Sequence, residues 1–338
     1  MANVKITGLP ALGAAPADAD VMEIVDDVAG TPTSKKVTVA ELLTNIDPAN
    51  IDQAGATEGQ ALVWDGSEWG PEVVSLLSPT GPGPTDLDYD PTTDTGYYGL
   101  ATSDEVANGT TVAGDIGLGD GSDFNNDTGW LKFYVGPDAD CNADGVAKVV
   151  FIAKETLRYN LDWDSIYNAG AVYGTGDNGV ADSGSPEPQD AQVTYDGYTF
   201  KVRLLTGSAA DPATEGYGNM SCAEDHGAGS EWNDLLYRVH TAVPDCGNVT
   251  VGMDGGYSTT YHGGPQDGDN WATYSNAELQ IYYSDAGNGT ACWCQEQGNN
   301  TARRVYRGRH GVAFFGTNAS DDTSSSYGWR PCLELVQP

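Results

Sequence analysis

The sequence predicts an α+β fold, rich in strands and long loops, and three observations predict it. Short apolar or alternating runs recur from residue 130 onward: WLKFYV at 130–135, AKVVFIAK at 147–154, YTFKVRLL at 198–205, NVTVGM at 248–253, LQIYY at 279–283, GVAFFG at 311–316 and CLELV at 332–336. Each is bounded by Gly, Asn, Asp or Pro, the punctuation of strands separated by turns. Only a few short stretches carry helical periodicity. The 44 glycines in 338 residues, with abundant Asn, Asp, Ser and Thr, supply the loops.

In chain order, residues 5–46 read as a strand, a small-residue turn, a second strand, a loop, a third strand and one helix. Thr38 and Glu41 form a T-x-x-E capping box, in which each side chain accepts from the other's backbone N–H. Val39, Leu42, Leu43 and Ile46 follow at i, i+3, i+4 and i+7, which makes one apolar stripe. A lone stripe needs a partner, either the neighbouring strands or the same helix of sister subunits around a threefold axis. GATEGQALVWDGSEWGPEVV follows at 55–74 as a short β segment. Residues 75–95, rich in Pro, Gly, Thr and Asp, read as a linker. The predicted boundaries are therefore 1–50 for an N-terminal module, 51–95 for a short β stalk and linker, and 96–338 for the main domain.

Within that domain Asp162 caps a helical turn carrying Trp163, Ile166 and Tyr167, which Gly170 ends. Ser230 caps a second helix, whose Trp232, Leu235, Leu236 and Val239 fall on one face. Six tryptophans (Trp130, Trp163, Trp232, Trp271, Trp293 and Trp329) are spread through the domain and argue that its long loops are ordered.

The formal net charge is −34, with Asp outnumbering Glu more than twofold. Such a field repels nucleic acid and excludes a DNA-binding role. It also strains the folded state unless salt screens it; at molar salt the Debye length is ~3 Å, which points to a halophilic source. No apolar run approaches the ~20 residues that span a bilayer, so no membrane insertion is expected. No signal-peptide pattern opens the sequence, so synthesis in the cytoplasm is expected. The six cysteines, Cys141, Cys222, Cys246, Cys292, Cys294 and Cys332, permit three disulfides in fifteen connectivities. There is no C-x-x-C pair, and His226, His240, His262 and His310 are not at zinc-ligand spacing.

Two families are resembled. PALGAAPADADVMEIVDDVAGTPTSKKVTVAELL and GQALVWDGSEWGP are similar to the N-terminal modules of tailed-virus fibre and appendage proteins. RRVYRGRHG at 303–311 and YGWRPCLELV at 327–336 resemble the closing segment of C-type-lectin-like domains of the formylglycine-generating-enzyme type. SEWNDLLYRV at 230–239 sits where that fold has a helix, and NWATYSNAEL at 270–279 falls in its loop-rich middle. These resemblances imply a virion attachment module followed by a lectin-like head, with receptor binding through residues 292–330. The expected partners are other virion proteins, a host cell-surface glycan or glycoprotein, and two sister subunits in a homotrimer. The expected location is the virion surface. Cys292-Trp293-Cys294 is not a copy of the enzymes' redox pair, so no catalysis is carried over and no enzymatic activity is expected. A capsid decoration or turret role and a glycan depolymerase are the alternatives.

Two constellations carry chemistry. Arg303, Arg304, Arg307 and Arg309, with His310, place half of the chain's arginines within seven positions. Guanidinium forks grip carboxylate, sulfate or phosphate, and Tyr306 and Trp293 suit stacking on sugar rings. The competing reading is that these arginines pair with the domain's own acids. Asp140, Asn142 and Asp144, followed by Gly145, match the first half of a calcium loop, so calcium is a candidate cofactor. Phe151 stands where the bidentate Glu belongs, and the competing reading is a polar hairpin turn.

Overall fold

In the computed structural model the described residues are 80–181, 185–213, 229–241, 270–281, 288–309, 311–312 and 314–336, with the backbone of strands at 21–26, 33–38, 60–64, 69–73, 249–250 and 260–261. The chain divides into two compact units, Met1–Val74 and Ser75–Pro338. The fold is α+β and mostly strand, with few helices.

The first unit contains two antiparallel hairpins. β1 (Val21–Asp26) pairs with β2 (Thr33–Thr38), in a register that sets Glu23 opposite Lys36. β3 (Gln60–Trp64) pairs with β4 (Trp69–Val73), with Trp64 opposite Trp69. The capped helix predicted after Thr38 and the first predicted strand lie outside the described residues.

The second unit is built on two sheets. One is a seven-stranded antiparallel sheet of β5 (Asp88–Asp90), β6 (Thr95–Ala101), β8 (Trp130–Val135), β9 (Lys148–Ala153), β11 (Gln192–Tyr195), β12 (Tyr198–Leu204) and β19 (Pro331–Leu335). Its order is β11-β12-β19-β9-β8-β6-β5, so β19, from the C-terminal end of the chain, lies in the interior of the sheet between β12 and β9. The other sheet has six strands: β7 (Ser122–Asp123), β10 (Arg158–Tyr159), β15 (Ala291–Gln297), β16 (Arg303–Arg307), β17 (Phe315–Ala319) and β18 (Tyr327–Trp329). Its order is β17-β16-β15-β18-β10-β7, and only β15 and β18 run parallel. β13 (Val249–Thr250) and β14 (Thr260–Tyr261) form a small separate ladder. One continuous apolar core takes residues from both large sheets, including Phe133, Phe151, Trp293, Tyr306 and Trp329.

β8, β9, β12 and β19 fall on predicted runs. LQIYY forms no strand in its described part: Leu279 lies in a turn, Ile281 follows it, and both are buried. The strand predicted at 311–316 is displaced to 315–319. Asp162 does cap its helix, here α2 (Trp163–Asn168), by accepting from Ser165 N at 2.6 Å. Gly170 follows at φ +70°, the left-handed stop that glycine adopts without strain. The second predicted helix is a π-helical turn at Trp232–Leu236 followed by a 3₁₀ turn at Tyr237–Val239. Its four apolar residues are all buried as expected. An unpredicted helix, α1 (Gly109–Asp115), is capped by Asn108, which accepts from Thr111 N.

Residues 80–95 pack into the second unit rather than forming a linker. β8 reads W-L-K-F-Y-V, yet all six residues are buried because both of its faces are covered. Lys132 would therefore be stranded without acceptors. Its ammonium donates to Pro84 O at 2.6 Å and Gly81 O at 3.4 Å, and lies 4.7 Å from the Tyr98 ring centroid. Gly83, at φ +79°, passes so close to β6 that a Cβ would meet Ala101 Cβ at 2.6 Å. β5 then pairs with β6 as an edge strand.

Five arginines are buried: Arg203, Arg238, Arg304, Arg307 and Arg330. A loop-rich domain leaves many carbonyls without ladder partners, and a guanidinium offers five donors in a fixed fork. Arg330 donates to the carbonyls of Ala153, Lys154 and Leu279 and to Cys292 Sγ. Arg238 donates to Asp90 at 2.6 Å and lies over the Trp271 ring at 3.7 Å, tying the helical turn to β5. Arg203 meets Glu231 with both prongs at 2.6 Å. These side chains are internal cross-links between segments far apart in sequence.

Candidate functional site

The sequence cluster at 303–310 is split by the strand that carries it. β16 lies between β15 and β17, and four of its five residues are buried. Arg304 is fully buried, lies over the Trp163 ring at 4.2 Å and donates to the carbonyls of Thr301, Arg303 and Val180. Arg307 is fully buried and donates to Gly207 O, Phe314 O and Asn233 Oδ1. Trp293 and Tyr306 are also fully buried. None of these four presents its side chain to a ligand. The reading that arginines serve the domain itself holds for Arg304 and Arg307, whose donors reach backbone carbonyls and, from Arg307, the Asn233 side-chain oxygen. His310 lies outside the described residues.

Arg303 and Arg309 are different. Both are half-buried, and both line an open cleft of about 250 Å³ with Asn318, Asp322, Ser324 and Tyr327. Arg303 sits at the start of β16 and donates to Thr317 O at 3.0 Å. Arg309 follows the end of β16. Asn318 comes from β17, in register with Arg304 on the neighbouring strand. Asp322 and Ser324 come from the polar connection 320–326, and Tyr327 opens β18.

The connection is ordered by its own short-range bonds. Asp322 Oδ1 accepts from Ser324 N at 2.8 Å, an Asx turn. Tyr327 N donates to Ser324 O at 3.0 Å. Gly289 N and Ala291 N donate to the carbonyls of Ser325 and Ser326, and Trp163 N donates to Ser320 O. Asn318 is the hub of the wall: its Nδ2 donates to Asp322 Oδ2 at 2.5 Å and to Tyr327 Oη at 2.6 Å. Below the cleft, the Tyr327 ring stacks on Trp293 at 4.5 Å and meets Tyr306 edge-on at 5.2 Å. Trp293 and Tyr306 are thus the floor under the site and not its contact surface. Asn318, Asp322, Ser324 and Tyr327 were missed because nothing in their spacing marks them. All six lining residues lie inside 292–330, the segment that the lectin-like resemblance singles out.

The calcium half-motif folds as the turn region between β8 and β9. Asn142 is buried, and its Nδ2 donates to Gly136 O at 2.6 Å and Val146 O at 3.0 Å. Asp144 accepts from Val146 N and pairs with Lys148 at 3.1 Å, while Asp140 is exposed. An amide donating inward and a carboxylate neutralised by lysine are the wrong donor set for a hard cation. Among the described residues no three His, Cys, Asp or Glu side chains are grouped to hold a metal.

Cys141, Cys292, Cys294 and Cys332 are buried free thiols, so the disulfide framework permitted by their number does not form among them. Burial pushes the thiols of Cys141, Cys294 and Cys332 well up, which keeps them protonated and unreactive. Cys222, Cys246, His226 and His262 lie outside the described residues. His240 is buried beyond the 3₁₀ turn, and desolvation lowers it to about 4.

Compared with protein-family models, curated proteins and solved structures, the chain shows no match.

Proposed function

We propose that this chain is an attachment protein of a virus particle, with an N-terminal unit that docks on the particle and a lectin-like head that binds the host surface. The observation that carries this reading is the cleft of Arg303, Arg309, Asn318, Asp322, Ser324 and Tyr327 on a rigidly braced head. Its lining is polar and charged, its floor is a packed aromatic stack, and its walls are held by hydrogen bonds before any ligand arrives. That is the construction of a binding site, in which little ordering remains to be lost on association. The division at Val74/Ser75 supports a separate docking module. Two-stranded hairpins are marginal alone in water, which supports assembly of that module with its counterparts in a homotrimer. Several heads on one particle then turn weak single sites into firm adhesion.

The test is binding of labelled full-length protein to candidate host cells at working salt. The Arg303→Ala/Arg309→Ala variant should lose most cell binding while keeping the wild-type circular dichroism and particle incorporation. Protein that incorporates into particles but never binds cells would make it a decoration protein instead.

A further inference from the structure

We infer that residues 207–213 form a strap across β15, which the Glu296 carboxyl latches while it is protonated and lets go when it ionises. This goes beyond the attachment reading and does not rest on it. The strap starts from a fixed point. Thr206 N donates to Glu231 Oε2, Glu231 N to Thr206 Oγ1 and Trp232 N to Thr206 O, so Thr206 is tied to the π-helical turn. Beyond it the chain runs along the end of β15. Both Glu296 carboxyl oxygens accept from Gly207 N, at 3.1 and 3.0 Å. Gln297 N donates to Asp211 Oδ1 at 2.9 Å, and Ala213 N donates to Gln297 O at 2.8 Å. Cys294 and Glu296 share one face of β15 by the two-residue period. A Cβ on Gly207 would collide with Cys294 Sγ, so the strap lies directly on that face. Ala213 joins Cys294, Val305 and Phe315 in a small apolar cluster separate from the main core. A segment tied to a satellite cluster opens at lower cost than the sheets beneath it.

The latch is buried, and the groups around it do not offset its burial. Asp211, on the strap itself, adds a like charge. Cys294 stands beside it on β15, and Glu231, held by both prongs of Arg203, stands on the π-helical turn. Arg307 of β16 donates to Gly207 O at 2.7 Å, and Arg304 and Tyr173 complete the surroundings. The N–H donors of Gly207 and Ser208 favour the ionised carboxylate, but enclosure outweighs them and pushes the carboxyl up to about 8. The closed strap therefore holds a proton. Lifting the strap lets water reach Glu296 and returns it to ~4.3. Opening releases that proton at any pH between the two values. Linkage then makes the opening constant rise about tenfold per pH unit across that interval.

The experiment measures amide hydrogen exchange of the full-length protein from pH 5 to pH 8, corrected for the intrinsic rate, in peptides covering 207–213 and, for reference, β8 and β9. Strap protection should fall about tenfold per pH unit and stay below that of β8 and β9 throughout. Glu296→Gln should make strap protection independent of pH over the same range. Alkylation by iodoacetamide gives a second reading on the wild type. Cys294 lies under the strap and Cys332 in the seven-stranded sheet, and burial pushes both thiols up, so their ratio cancels the reagent's own pH dependence. The Cys294-to-Cys332 ratio should rise with pH. The wild-type series needs no mutant to fold. Strap protection that ignores pH, or that equals the protection of β8 and β9 at every pH, would overturn the inference, as would a constant alkylation ratio.

Discussion

Arg307 donates from Nη2 to Asn233 Oδ1 at 2.8 Å, across 74 positions of sequence and with both residues buried. Its Nε and Nη1 reach Phe314 O and Gly207 O. One side chain thus joins β16 to the π-helical turn and to the segment after β12. Arg307→Ala would leave these acceptors without their donor and open a cavity. It should cost about 3 kcal/mol or more, read as a lower urea midpoint. Arg307→Lys should recover little, since an ammonium cannot span that fork. Cell binding per folded molecule should not change.

The buried pair of Arg203 and Glu231 has a second carboxylate, Glu334, whose Oε2 lies 3.1 Å from Arg203 Nε. Replacing Arg203 with Met strands Glu231 without its cation. We expect a loss on the order of 3–5 kcal/mol in chemical denaturation. Adding Glu231→Met should return part of it, because a buried pair replaced by apolar volume is often neutral.

Residues 80–95 help to hold the second unit together. A fragment 80–338 should give a cooperative thermal transition, and a fragment 96–338 should not. The shorter one lacks Asp90, the partner of Arg238, and the carbonyls of Gly81 and Pro84 that hold Lys132.

Stability should fall as pH rises from about 4.5 to about 8. Glu296 is fully enclosed, and burial pushes its carboxyl up to about 8, although Gly207 N donates to it. The folded state therefore holds a proton that the unfolded state releases near ~4.3. That contribution is complete below the unfolded value and is lost through pH 8. Asp234, raised to about 7 mainly by burial, acts with the same sign between ~3.9 and 7. His240, lowered to about 4 by burial, acts oppositely between 4 and ~6.5. Glu296→Gln should flatten the fall above pH 6.5, measured as urea midpoints across pH 5–9.

Stability should rise with salt. With a net charge of −34, screening from ~0.1 M to ~1 M shortens the Debye length from ~10 to ~3 Å and relieves self-repulsion. The thermal midpoint in potassium chloride checks this, and an unchanged midpoint would remove the argument for a halophilic source.

Much of the local structure was legible. Asp162 announces α2 because its side chain answers to a neighbour three residues on, and WLKFYV and KVVFIA are strands by composition alone. β5, β6, β10, β15 and β16 were not legible. ACWCQEQ and RRVYR carry charges that a covered strand normally lacks, and their burial depends on acceptors supplied by distant loops. Gly316 shows the same dependence: a Cβ there would meet the Tyr306 ring at 2.5 Å, a contact only the β16–β17 pairing creates.

The sequence by itself determined the α+β class, the acidic net charge and the concentration of arginine between 303 and 309. It could do so because composition, caps and periodicity act over a few residues. Only the tertiary structure decided which arginines face inward. Neighbouring guanidinium groups in one strand are divided by what covers them, and for Arg304 and Arg307 that covering includes residues 74 to 124 positions away.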